Sequence, residues 1–170
     1  TREINNADEL DAARLAYTSV KDQWNVINAN YYVLGNDIDY TGRTTWIYDN
    51  DVDNDGVTEN VYFHGVFDGA GYNIDGVTAK GWDGAMFYSI GGTIKNVSFT
   101  NVTLGKKASL FNEHQNGNAA RFENIYIHCT SVESVALENG TKQYTGFFTV
   151  ETTNWNNFFK NIYIEIDKNN

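Results

Sequence analysis

Phe122-Glu123-Asn124-Ile125-Tyr126-Ile127 and Phe159-Lys160-Asn161-Ile162-Tyr163-Ile164 are one phrase written twice. An earlier version reads Ile94-Lys95-Asn96-Val97-Ser98-Phe99, and a shorter one Tyr72-Asn73-Ile74. Each follows an apolar run carrying Phe: Val66-Phe67-Asp68-Gly69, Gly84-Ala85-Met86-Phe87, Ser109-Leu110-Phe111 and Gly146-Phe147-Phe148. Self-similarity of this kind marks a repeat architecture, in which no unit can bury its apolar face alone and stacked neighbours share one core. The Asn positions 73, 96, 124 and 161 are separated by 23, 28 and 37 residues, so the strands recur while one connection lengthens. The pattern predicts an all-β solenoid of about four to five short coils. Phe67, Phe87, Phe111 and Phe148 are expected in one interior column, and Ile74, Val97, Ile125 and Ile162 in another. An Asn at the same corner of each coil can bond its amide to the Asn above and below, because a buried amide needs partners.

Composition agrees with strands. The chain has 170 residues, 41% hydrophobic and 15% aromatic, enough for one domain with a core and too apolar for disorder. There are 15 Gly and no Pro, so Gly, Asn and Asp must make the turns. A net charge of -10 argues against nucleic acid and anionic membrane surfaces, which need clustered Lys and Arg. The one cysteine, Cys129, lies in a strand-like run and reads as a core thiol. No stretch approaches the ~20 apolar residues of a membrane-spanning helix. Thr1 is not an initiator and no signal peptide precedes it, so the chain reads as a segment of something larger.

Outward from the repeats, Asn5 or Asn6 is placed to cap a helix over Ala7 to about Val20. Residues 1–22 are therefore expected as a strand and a helix covering the open end of the first coil. Trp24 to Asp39 supplies an imperfect first coil. Residues 41–64 break the period: Trp46-Ile47-Tyr48 and Val61-Tyr62-Phe63 flank an acidic loop and are predicted to form an inserted hairpin.

These phrases resemble the right-handed parallel β-helix proteins, the pectate-lyase-like superfamily in its broad sense. They resemble most the GLUG repeats of bacterial surface proteins, a Gly-Leu-Phe-like strand, a Gly turn and an Ile-x-Asn-Leu-like strand. Gly84 to Phe99, with Gly91-Gly92-Thr93-Ile94-Lys95-Asn96-Val97, carries that likeness best. Gly65-Val66-Phe67-Asp68-Gly69-Ala70-Gly71 also looks like a phrase common in such solenoids. The later coils depart from it, with long polar connections and no Gly-Gly turn. The resemblance covers about residues 60 to 166 and implies a right-handed parallel β-helix in a secreted or surface-attached bacterial protein, often adhesive or carbohydrate-binding.

Three stretches carry chemistry. Asp49 to Glu59 alternates carboxylates, with Gly56 in sixth place after Asp51, like the start of a calcium loop. Calcium takes about six to eight oxygens, and Asp51, Asp53, Asp55, the Val57 carbonyl and Glu59 can supply them. Tyr62 stands where a helix–loop–helix site has its bidentate Glu, and a solvated acidic turn fits the same residues. Trp46, Tyr48 and Trp82 are candidates to stack on a sugar ring, ordinary packing under loops being the alternative. Asp68 and Asp75 flank a turn, but Arg14, Arg43 and Arg121 and the three His share no spacing that would build an active site. The expectation is a non-catalytic binding module for adhesion or glycan recognition, extracellular or on a bacterial surface, with calcium as the one candidate cofactor. A polysaccharide lyase or glycosidase relative and a structural spacer or phage-fibre segment are the alternatives. The C-terminal strand is expected to meet a neighbouring domain or a second copy.

Overall fold

A computed structural model describes residues 1–16, 18, 20–45, 51–81, 84–115, 119–133, 135–152 and 156–168. In chain order the elements are β1 (Arg2–Ile4), α1 (Ala7–Arg14), β2 (Asn25–Asn28), β3 (Tyr31–Leu34), β4 (Ile38–Asp39), β5 (Asn60–Phe63), β6 (Val66–Asp68) and β7 (Asn73–Asp75). They continue with β8 (Thr78–Ala79), β9 (Ser89–Ile90), β10 (Thr93–Leu104), β11 (Asn112–Gln115), β12 (Arg121–Val132), β13 (Val135–Glu138), β14 (Thr141–Tyr144), β15 (Thr149–Thr152) and β16 (Phe158–Ile166). The protein is all-β apart from α1 among the described residues, and no helix there is long and apolar enough to cross a membrane.

Pairing is parallel in every sheet but one. A nine-stranded sheet follows the order β1-β3-β6-β10-β12-β16, with β4, β7 and β8 alongside. A three-stranded sheet β2-β5-β9 and the pair β11-β15 are also parallel. The recurring phrase explains the register: Ile94, Phe122 and Phe159 align, as do Val97, Ile125 and Ile162, then Phe99, Ile127 and Ile164. The members from β10 and β12 are at most 2% exposed, while residues between them face out. Like therefore lies beside like, and the apolar set stays on one face.

The columns differ from the sequence expectation in two respects. Asn73 pairs with Ser98 and Ile74 with Phe99, so Ile74 leads the Phe99 column rather than the Val97 one. The reason is a longer corner, because Gly69-Ala70-Gly71-Tyr72 separates β6 from β7 where Asn96-Val97 suffices inside β10. Gly69 is needed there, since a Cβ on it would lie 2.5 Å from the Val97 Cβ. The Phe residues also divide. Phe67 pairs with Ile94 in the nine-stranded sheet, whereas Phe87 bridges Asn112 outside it. Phe111 and Phe148 stack at 5.4 Å, and Phe122 meshes between them at 5.2 and 4.8 Å.

The amide ladder forms, but from Asp68 rather than Asn73. Asn161 Nδ2 donates to Asn124 Oδ1 at 2.9 Å, Asn124 Nδ2 to Asn96 Oδ1 at 2.9 Å, and Asn96 Nδ2 to Asp68 Oδ1 at 3.0 Å. Asn96, Asn124 and Asn161 hold φ of 55°, 54° and 53°. Asn tolerates that left-handed bend better than any residue but Gly. The ladder runs along the rim, with Asn124 and Asn161 exposed.

Helix α1 lies beside β1, the edge strand at one end of the nine-stranded sheet. Asn6 caps it, accepting from Glu9 N at 2.9 Å, and Ala7, Leu10 and Ala13 are buried. It stops at Arg14, short of the expected Val20. Thr18 N instead donates to Ile27 O and Ile27 N to Val20 O, so pairing with β2 takes those residues from the helix. Val61-Tyr62-Phe63 does not serve as a hairpin arm, since β5 pairs in parallel with β2 and β9. Trp46–Tyr48, its expected partner, lies outside the described residues. Among the described residues, β13 and β14 are the one antiparallel strand pair, turning at Asn139-Gly140 with φ of 50° and 77°, as Asn-Gly favours.

Phe122→Ala, at the meeting point of three rings, is expected to lower unfolding free energy by about 3–5 kcal/mol in urea titration. Asn124→Ala removes two rungs and puts into the left-handed bend a residue that tolerates it less well than Asn, for about 2 kcal/mol. Asn124→Gly, which keeps the bend unstrained, should lose about 1 kcal/mol less, and equal losses would show that φ does not matter there.

Candidate functional site

The chain between Asp51 and β5 is wound by its own backbone. Asp51 Oδ1 accepts from Asp55 N at 2.9 Å, Asp51 Oδ2 from Gly56 N at 2.8 Å, and Asp55 Oδ1 from Val57 N at 2.9 Å. Asn54 and Gly56 supply φ of 59° and 85°, which is why a sequence built of Asp, Asn and Gly closes so tightly here. The turn brings Asp51, Asp53, Asp55 and Glu59 together, one carboxylate oxygen of each lying within 4.8 Å of the others. All four residues expected from the sequence to ligate a metal thus meet in one place.

Two further features shape this site. The Glu59 side chain is 0% exposed, its Oε2 accepting from Val52 N at 3.0 Å and its Oε1 making no hydrogen bond. Lys21, from the segment after α1, reaches into the cluster. Its Nζ lies 2.5 Å from Asp53 Oδ2, 2.6 Å from Asp55 Oδ2 and 3.3 Å from Glu59 Oε1, the last an ion pair without hydrogen-bond alignment. Hydrogen bonds to Asp53 and then Asp55 raise the Lys21 pKa above the usual ammonium range. Lys21 in turn, followed by the Val57 N–H, holds the Asp55 carboxyl below its ordinary value. Four carboxylates are hard oxygen donors of the kind calcium takes, and the buried Glu59 oxygen fits a cation. These residues can hold a metal ion.

A second feature occupies the outer face of β10, β12 and β16. A groove of about 450 Å³ is lined by Asn96, Asn124 and Asn161 with Tyr126 and Tyr163. The two Tyr rings stack, with centroids 5.7 Å apart and planes 14° from parallel. Tyr126 Oη donates to Glu165 Oε2 at 2.8 Å, which fixes the inner ring, while Tyr163 is 62% exposed. Beside them His128 Nε2 meets Asp167 Oδ1 at 2.9 Å, and that hydrogen bond raises the imidazole pKa. An aromatic plane flanked by amides and carboxylates can stack on an apolar ring face and bond hydroxyls.

The other sequence candidates fall differently. Trp46, Tyr48 and Trp82 lie outside the described residues. Asp68 is occupied by Tyr31 Oη at 3.0 Å, Asn96 Nδ2 at 3.0 Å, Ala70 N at 2.9 Å and Lys95 Nζ at 3.4 Å, which makes it a joint between strands. Asp75 accepts from Thr100 Oγ1 at 2.6 Å and Asn101 Nδ2 at 2.8 Å. Lys21 was not anticipated, because nothing in the local pattern links it to carboxylates more than 30 residues on. Tyr126 and Tyr163 carried a signal, since both stand at the same place in the repeated phrase. Comparison of the chain with family models, curated proteins and solved structures finds no match.

Calcium at ~100-fold over its dissociation constant is expected to add about 2.7 kcal/mol and raise Tm by about 5–10 °C. Glu59→Gln should abolish the shift in differential scanning fluorimetry. An unchanged Tm in millimolar calcium would leave the loop as a turn.

Proposed function

We propose that this chain is a non-catalytic glycan-binding module of a bacterial surface or secreted protein, built as a right-handed parallel β-helix akin to GLUG-repeat proteins. The in-register parallel strands and the Asn at each rim corner support the winding. The observation that carries the functional reading is the groove with the Tyr126–Tyr163 stack beside Asn124 and Asn161. Stacked rings give a sugar's C–H face a flat partner, and neighbouring amides choose among its hydroxyls. Calcium acts in this reading at a distance. The acidic loop leads into β5 of the three-stranded sheet, whereas the groove lies on the nine-stranded one, so the ion orders the loop without touching the sugar. The net charge of -10 keeps nucleic acid outside the reading.

Catalysis fits the groove less well, because the carboxylates beside it, Asp68, Glu165 and Asp167, are each held by a strand or ring neighbour. The spacer or fibre reading draws on a different observation. β16 ends the sheet order, and Phe158, Phe159, Tyr163 and Ile166 are 41–62% exposed on it. A neighbouring domain or a second copy of the chain would cover that edge.

A glycan array with the isolated chain should return binders, and Tyr163→Ala should weaken the best of them about fivefold or more. Tyr163 is exposed and loses only its stack on Tyr126, worth about 0.5–1.5 kcal/mol, so Tm should fall by no more than about 5 °C in that variant. An array without binders, or full affinity in Tyr163→Ala, would remove the groove from the reading. Accumulating reducing ends or unsaturated sugars would replace the module by an enzyme.

A further inference from the structure

The acidic loop already contains a cation, and it belongs to the chain. Among the described residues, the only positive group meeting the carboxylates of Asp53, Asp55 and Glu59 is Lys21. Its ammonium lies within 2.6 Å of one oxygen on each Asp, the space a bound ion needs. It serves the site incompletely. One positive charge faces four carboxylates, and Glu59 Oε1, on a side chain with 0% exposure, has Lys21 at 3.3 Å and no hydrogen bond. An ammonium has three donors in fixed directions, whereas calcium gathers about six to eight oxygens with loose angular demands. A divalent ion satisfies the buried Glu59 oxygen where Lys21 does not, but the two cannot occupy the same space.

Resting on the reading that this loop takes calcium, we infer that Lys21 is a tethered competitor that must leave before a divalent cation enters, so that ion binding at Asp51, Asp53, Asp55 and Glu59 releases the N-terminal segment around Lys21. Among the described residues, the other bonds of that segment run to β2 and β5: the Thr18 hydroxyl meets Ile27 O and Ala29 N, and Asn60 N donates to Trp24 O. Lys21 bridges Val26, and Asp22 Oδ1 accepts from Trp24 N at 2.9 Å and Asn25 N at 2.8 Å to close the turn. Val20 and Trp24, on either side, are 56% and 57% exposed. Losing the Lys21 anchor would leave the described residues of 18–24 joined to the rest through backbone bonds to β2 and β5 and through the Thr18 hydroxyl, with no charged contact across to the acidic loop. The competitor lowers apparent affinity by the fraction of time it holds the site, which suits a module that meets calcium at high concentration outside cells.

Two measurements test this on the whole chain. Isothermal titration with calcium chloride should show Lys21→Met, which keeps the stem and removes the charge, binding at least about tenfold tighter than the unmodified chain. Acetylation footprinting of the unmodified chain by mass spectrometry should show Lys21 protected without calcium and reactive with it, Lys160 serving as reference. This second arm does not depend on how well the variant folds. Equal or weaker binding in Lys21→Met, or Lys21 reactivity indifferent to calcium, would overturn the competitor while leaving the metal site in place. Absence of calcium binding to either form would overturn both.

Discussion

Parallel in-register pairing of β10, β12 and β16 determines where most other groups of this protein sit. In a parallel sheet the same position of successive strands lies in one line, so any residue repeated in sequence becomes a column in space. Ile94, Phe122 and Phe159 form such a line inside, Ser98, Tyr126 and Tyr163 one outside, and Asn96, Asn124 and Asn161 one at the bend. A slip of one residue would exchange the inner and outer sets. The left-handed bend at each Asn favours the observed register, because Asn adopts that bend more readily than the apolar residues beside it. Packing, hydrogen bonding and backbone conformation thus agree on one register, and the groove is a by-product of that agreement.

The strands of the second half were legible because the phrase carrying them repeats closely enough to be aligned by eye. Misplacement began where two residues were added. The corner between β6 and β7 is two residues longer than its counterpart inside β10, so counting from the Asn places Asn73 and Ile74 two residues from where they pair. Repetition of Phe does not by itself give one column, because Phe67 pairs with Ile94 inside the nine-stranded sheet whereas Phe87 makes an isolated bridge to Asn112 outside it. The helix was overextended because apolar spacing cannot reveal that Thr18 and Val20 have backbone partners in β2.

The acidic cluster that can hold a metal ion was readable for a different reason. Asp51, Asp53, Asp55 and Glu59 are close in sequence, and Asn54 and Gly56 announce the turn that gathers them. Long-range chemistry was not readable. Lys21 meets those carboxylates only because β2 and β5 are neighbours, a fact of topology rather than composition. A net charge of -10 gave no hint that the densest knot of acid holds a basic residue at its centre.

The amide ladder has a direction. Every Nδ2 donates toward the N-terminal end, from Asn161 through Asn124 and Asn96 to the Asp68 carboxylate. Aligned amides add their dipoles as peptide units do along a helix, and the positive end of this short array meets an anion while the negative end, the Asn161 carbonyl, looks out past β16. The pile is therefore polar, like a magnet cut from a longer bar. A group that comes to lie against its open end is favoured if it brings an N–H to that corner and disfavoured if it brings a second oxygen.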